Sequence, residues 1–376
     1  MLIKNVQILN QQFEFATTDI QFQQTIETIG SGLTAEAETI DGTGMLLIPG
    51  LIDVHTHGAV GHDGCDGNKE SYEKLAKYYA ANGVTSFLLT TMALAEKQLT
   101  SVLAAMGEFI LDQQGEGAYA SGIYLEGPFL QPFKKGAQNA EFLVNPDLAM
   151  LERLNIASKT QLKIVAVAPE LKGAMDFIQQ SAKKMRVSLA HTSADYQVAA
   201  EAFARGASSV THLFNGMDPF LHRAPGVVGA ALDHEEVFVE LICDGNHLHP
   251  ATVRSVFKQC GRERVVLISD SNRATGMPAG SYELGGQEVQ VNQGKCTLAN
   301  GTLAGSVINL LDAVKNCIAL GIPAEIAVQA ASINPANLIG TRNFNGSIAC
   351  GKNADLLLLD QDWNLLKTFV QGKICY

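Results

Sequence analysis

The chain has no C-x-x-C pair, no excess of basic residues and no apolar run long enough to span a bilayer, and each absence removes a class of function. Its seven cysteines, Cys65, Cys243, Cys260, Cys296, Cys317, Cys350 and Cys375, are odd in number and scattered. That pattern reads as free thiols in a reducing, cytoplasmic setting. A net charge of −11 argues against nucleic acid or an anionic membrane surface as a partner, because both need a basic face. An anionic substrate would need a local cationic pocket. The first residues, MLIKNV, lack the layout of a signal peptide. Internal repeats, low-complexity tracts and flexible linkers are also missing. What is present is 47% hydrophobic and 17% charged residues over 376 positions, the composition of a well-packed enzyme with one large and one small domain.

Residues 1–45 read as short strands (2–9, 19–22 and 39–42) punctuated by Gly, Asn and Asp. Gly42-Thr43-Gly44 has no helix after it and reads as a turn. From Leu46 the pattern changes. Eight near-continuous apolar runs (47–54, 84–90, 121–125, 162–168, 187–190, 209–213, 238–243 and 265–269) alternate with helix-like stretches at 70–81, 96–111, 147–155, 172–182, 196–205 and 250–259. Apolar strands alternating with amphipathic helices predict a parallel sheet covered by helices. Eight of them in about 250 residues predict a (β/α)8 TIM-like barrel, with an open doubly wound sheet as the runner-up. A hairpin over 282–297, helices over 310–320 and 324–332, and strands over 355–359 and 366–374 follow. The two β-rich termini are expected to form one small β-sandwich from 1–48 and 344–376 beside a barrel of 49–343.

The first barrel run closes in His55-Thr56-His57. On a strand, positions i and i+2 face one side, so both rings can reach one ion. In such a barrel the active site is built at the C-terminal ends of the strands. The third, fifth, sixth, seventh and eighth runs end in Glu126, His191, His212, Asp244 with His247, and Asp270. Any single strand-end His or Asp is ordinarily structural, a hydrogen-bonded residue or a helix cap. Four His and one Glu at the same end of four strands instead predict a divalent-metal centre, with room for one or two ions. His62 and His234 read as surface residues, His249 as a helix start, and His222 as a residue at the pocket edge. Cys65 lies near the histidine pair and reads as a packing thiol.

These residues resemble the metal-dependent amidohydrolases and, within them, the N-acetylglucosamine-6-phosphate deacetylases. PGLIDVHTHG (49–58) and GSIACGKNADL (346–356) carry the broader likeness; LEGPF (125–129), KGAQN (135–139), THLFNGM (211–217), HRAPG (222–226) and LAGS (303–306) carry the narrower one. The resemblance implies Glu126, His191 and His212 as ligands of the main metal, and His55 and His57 joining Glu126 around a second. It implies Asp270 as the catalytic acid and base. Substrate contacts are implied for Ala137, Gln138, Asn215, Gly216, Arg223, Asp244, His247, Leu303, Ala304 and Gly305, with Arg223 and His247 on the phosphate. Gln138 stands where some relatives have His. Asn272-Arg273 after Asp270 has no reading.

The implied reaction is hydrolysis of N-acetyl-D-glucosamine 6-phosphate to D-glucosamine 6-phosphate and acetate, with zinc, iron or manganese as the ion and a homodimer as the assembly. The galactosamine epimer is the nearest rival substrate. A dihydroorotase-like or deaminase-like enzyme is disfavoured because Glu126 stands where many of those carry a modified lysine. A non-catalytic scaffold would be expected to have lost some of the ligands or Asp270.

Overall fold

A computed structural model describes residues 1–34 and 38–376. Eight parallel strands run in strict chain order around a barrel. They are β1 (Leu51–Thr56), β2 (Val84–Thr90), β3 (Tyr119–Leu125), β4 (Leu162–Val167), β5 (Arg186–Leu189), β6 (Ser209–Val210), β7 (Phe238–Ile242) and β8 (Val265–Ile268). Just beyond their ends, β1 and β8 are joined by the Asp270 N–H donating to the His55 carbonyl at 2.9 Å and the His57 N–H donating to the Ser271 carbonyl at 2.8 Å. The barrel therefore closes at the position of its chemical residues.

Apolar burial accounts for the two layers. Ile52, Val54, Leu88, Tyr124, Ile164, Ala166, Ile242, Val266 and Ile268 fill the barrel interior. Leu51, Phe87, Leu89, Val165, Val187, Leu189, Val239, Leu241 and Leu267 face outward and pack under the helices. A helix follows each strand, among them Lys69–Ala81, capped by the Asn68 side chain, and Leu148–Ala157, capped by Asp147. His249 is the N-cap of Pro250–Arg264, as its place before Pro250 predicted. The helix Gly226–Asp233 was not visible in the sequence. Its run of glycines and β-branched residues has poor intrinsic helicity, so packing rather than propensity makes it.

The run at 47–54 is two strands, not one. Leu46–Pro49 pairs with Leu356–Leu359 in the terminal sheet, and β1 begins after Gly50. A Cβ on Gly50 would stand 2.2 Å from Thr85 Oγ1, so only glycine lets the chain cross from one sheet to the other here. The terminal sheet has eight strands drawn from 2–49 and 356–374. It curls until strands far apart in its order meet, with Phe22 and Phe369 edge to face at 5.2 Å. Ile3, Val6, Ile8, Ile20, Leu47, Leu356 and Leu358 fill the space between. The hairpin expected over 282–297 is a three-stranded meander, Gly280–Leu284, Gln287–Asn292 and Lys295–Leu298, set beside the barrel mouth.

Candidate metal centre

Between Asp53 and Thr56, β1 carries one extra residue relative to β2: Asp53 opposes Phe87, and three residues later Thr56 opposes Leu89, two further on. This bulge re-aims the strand end. His55 lies against Tyr124 in the barrel interior, and the His55 and His57 rings are 5.3 Å apart. His191, His212 and Asp270 follow the ends of β5, β6 and β8 with φ of 43°, 30° and 48°. Left-handed backbone at a non-glycine residue costs about 1–3 kcal/mol and persists where the surroundings fix it, commonly at functional sites.

Glu126, just past β3, stands at the centre. Its Oε1 lies 3.2 Å from His191 Nε2, 3.1 Å from His212 Nε2 and 3.7 Å from His55 Nε2. Its Oε2 lies 3.3 Å from His57 Nε2. Asp270 Oδ1 faces the same two strand-end imidazoles, 3.4 Å from His57 Nε2 and 3.6 Å from His55 Nε2. The side chains form two overlapping donor groups, His55–His57–Glu126 and Glu126–His191–His212, with their ligand atoms within 4.8 Å of one another. All six residues are buried.

The donor set fits a divalent cation. His191 Nδ1 lies 2.7 Å from the Lys134 carbonyl, which obliges it to carry the proton. Its Nε2 therefore turns a lone pair toward the Glu126 carboxylate and toward His212 Nε2, 3.2 Å away. Such an arrangement repels itself unless a positive charge lies between. His55 Nε2 is likewise buried without a hydrogen-bond partner. Electrostatics give the same answer. Burial opposes a charged imidazole, yet the Glu126, Asp270 and Glu240 carboxylates outweigh it and push His55 up to about 9. His57 is driven up to about 10, with burial again overcome by Asp270 and Glu126. For Glu126, burial is overcome by the charge of His55 and by the surrounding imidazoles of His191, His212 and His57, which hold its carboxyl well below the usual carboxylate range. A pocket that so favours protons on imidazole is strongly negative, as a site for divalent ions should be.

Ala137, Gln138, Asn215, Gly216, His247, Leu303 and Gly305 line one cavity with His57, Glu126, His191, His212 and Asp270. Gln138 is fastened at both ends, its Oε1 accepting from the Ala93 N–H and its Nε2 donating to Glu126 Oε2, each at 2.7 Å. It holds the shared carboxylate as well as facing the cavity. Asp244 sits behind His247, its Oδ2 2.8 Å from Nδ1, and thereby leaves Nε2 of that ring free for the cavity. Two of the expected contacts, Ala304 and Arg223, stand away from the lining of this cavity. Ala304 is fully buried and packs into the small core beneath the meander, because its strand-like segment bonds back to Cys296. Arg223 is exposed on the loop after β6, touches His222, and lines a neighbouring hollow instead of this cavity. His222 is exposed there with it.

Other residues acquire roles that the sequence did not announce. Asn272 donates to the Ala304 carbonyl, and Arg273 pairs with Asp66 and Glu283, so the pair ties the end of β8 to the meander and to the loop after β1. His62 is half-buried against Ser71. Cys65 Sγ accepts from the Met92 N–H, outside both donor groups. Glu240 was missed altogether. Its only signal was a lone charge in the apolar strand Phe238–Ile242.

The sequence profile of the amidohydrolase family matches residues 46–375. The chain belongs to the amidohydrolase family. It is 40% identical over 332 residues to N-acetylglucosamine-6-phosphate deacetylase of Vibrio furnissii, covering 88% of this chain and 83% of that protein. It is 39% identical over 333 residues to N-acetylgalactosamine-6-phosphate deacetylase of Escherichia coli O157:H7, covering 88% and 87%. A variant of N-acetyl-D-glucosamine-6-phosphate deacetylase from Mycobacterium smegmatis, solved in complex with N-acetyl-D-glucosamine-6-phosphate, superposes with a TM-score of 0.92 at 28% identity over 100% of this chain and 99% of that one. As an amidohydrolase, this chain has the barrel and the His/Glu donor groups of a hydrolase acting on carbon–nitrogen bonds. Among the described residues, no helix is long and apolar enough to cross a membrane.

Proposed function

We propose that this amidohydrolase removes the acetyl group of N-acetyl-D-glucosamine 6-phosphate in the cytoplasm, giving D-glucosamine 6-phosphate and acetate. The observation that carries the reading is the convergence of the buried Glu126, His191, His212, His55 and His57 beside Asp270. Support for the substrate comes from the names of its relatives. The galactosamine epimer remains the second reading, on a relative of nearly equal identity.

Glu126, His191 and His212 would hold the main divalent ion, and His55 and His57 would hold a second with Glu126. When bound, the ion supplies a water acidified toward neutral pH and an electrophile for the amide carbonyl. Asp270 accepts the proton of the attacking water and delivers it to the departing nitrogen, so an amine leaves rather than an amide anion. Gln138 and the Ala93 N–H behind it keep Glu126 in place. Asn215, Gly216 and His247 orient the sugar phosphate, with Asp244 fixing the ring of His247.

Arg223 is assigned to the phosphate, yet it does not reach the cavity of its own chain. A homodimer in which the loop of one copy delivers Arg223 to the other reconciles the two, and the neighbouring Phe220 and Leu221, 51% and 53% exposed, give that loop an apolar contact surface. The domain division 1–48 with 344–376, and 49–343, belongs to the same reading. Acetate release from both hexosamine phosphates, with zinc, iron and manganese supplied in turn, tests it. Absence of release from either substrate with every ion refutes it.

A further inference from the structure

Glu240 is a fully buried carboxylate in the middle of β7, between Val239 and Leu241. A buried charge persists only where something compensates it. No lysine or arginine does so among the described residues; its one ion-pair partner is His55, with Oε2 3.0 Å from Nδ1. The same oxygen lies 3.4 Å from the His212 N–H, and Oε1 has no hydrogen-bond partner. Glu240 is absent from both donor groups and from the lining of the cavity.

Tautomer chemistry gives this contact a consequence. An imidazole nitrogen facing a carboxylate at hydrogen-bond distance must carry a proton, since a lone pair there would be repelled. His55 Nδ1 is therefore the N–H, and Nε2 is left as the lone pair. That lone pair points between Glu126 Oε1 at 3.7 Å and Asp270 Oδ1 at 3.6 Å, with His57 Nε2 facing the same two carboxylates. The carboxylate partner also makes His55 more electron-rich, as outer-shell carboxylates do for metal-bound imidazoles.

We propose that Glu240 is a positioning residue that fixes His55 with Nε2 forward, and that it thereby decides whether the His55–His57–Glu126 position holds an ion. It acts through His55 and does not touch the ion. The ion at Glu126, His191 and His212 does not depend on it. This rests on the metal reading proposed above.

The test is a stepwise titration of metal-stripped protein with Mn²⁺, followed by calorimetry, for the wild type, Glu240→Gln, His55→Ala and the double variant. Two steps are expected in the wild type. Glu240→Gln should weaken one step by about 10- to 100-fold and leave the other unchanged. In the His55→Ala background the same substitution should change nothing further. Two wild-type-like steps in Glu240→Gln, equal loss from both steps, or a loss of the same size without His55 would overturn the inference while leaving the metal reading intact. A wild type that binds no Mn²⁺ would overturn the metal reading and this inference with it. Should Glu240→Gln fail to fold, nitrogen-15 spectra of the zinc-loaded wild type decide instead: His55 as the Nδ1–H tautomer supports the role, and an Nε2–H tautomer overturns it.

Discussion

Asp270→Asn isolates the proton transfers from everything else in the site. Asn keeps the shape of Asp and is among the few residues that accept left-handed backbone, so the φ of 48° at this position is retained. The backbone bonds that hold the residue, N–H to the His55 carbonyl at 2.9 Å and carbonyl to the Ser306 N–H at 2.7 Å, are untouched. Stability should therefore change by less than about 1 kcal/mol. The ion proposed for Glu126, His191 and His212 should remain, because Asp270 belongs to neither donor group. Activity should collapse. A single positioned acid or base is worth about 10²–10⁴ in rate, and in the proposed mechanism Asp270 serves as both. A loss of about 10³–10⁴ in kcat, about 4–5 kcal/mol of barrier, is expected. Acetate release at saturating substrate, metal analysis and a melting curve on the same preparation measure the three quantities. A variant with full metal content and turnover within tenfold of the wild type would show that Asp270 is not the proton shuttle.

Gln138→Ala leaves both the Ala93 N–H and Glu126 Oε2 without their partner; a loss of about 1–3 kcal/mol in stability is expected by denaturant unfolding, together with easier removal of metal by a chelator. Stripping the ions should lower the melting temperature, and restoring them at about a thousandfold over Kd should return about 4 kcal/mol; identical melts would deny that the ions are part of the folded state. Asp355, nearly fully buried, carries a pH signature. Burial is the leading cause, and hydrogen bonds to Gln371 and Asn353 only partly offset it, so its carboxyl is pushed up to about 6. Both states hold the proton below the ordinary carboxylate range, the unfolded chain loses it first, and the folded state bears the full cost only above about pH 6. Asp355→Asn should therefore gain on the order of 3 kcal/mol over the wild type at pH 8 and lose that advantage by pH 4; a pH-independent difference would contradict the burial account. Finally, co-expressed Asp270→Asn and Arg223→Ala chains should form mixed dimers more active than either variant alone, and activity no higher than the separate variants would place Arg223 outside its partner's site.

Much of this protein was written in local pattern. The switch at Leu46 from punctuated short strands to apolar runs and helices determined the barrel, because a strand buried on both faces must be apolar throughout. His55, His57, Glu126, His191, His212 and Asp270 were legible because each ends such a run, and in a barrel all strand ends of one sense lie on one rim. Local pattern did not determine which side chains meet across the rim. Glu240 and His55 are 185 residues apart and come together only because β7 and β1 both turn these side chains inward at the same depth. Gln138 reads as a substrate contact, yet the path of its loop also places it between Ala93 and Glu126. Arg223 reads as part of the pocket, yet its loop runs outward to the surface. The break at Gly50, invisible in an unbroken apolar run, depends on Thr85 from another strand. Periodicity along the chain fixes which face of an element is buried; closure of the barrel, the bulge between Asp53 and Thr56 and the courses of the loops decide which partners share that space.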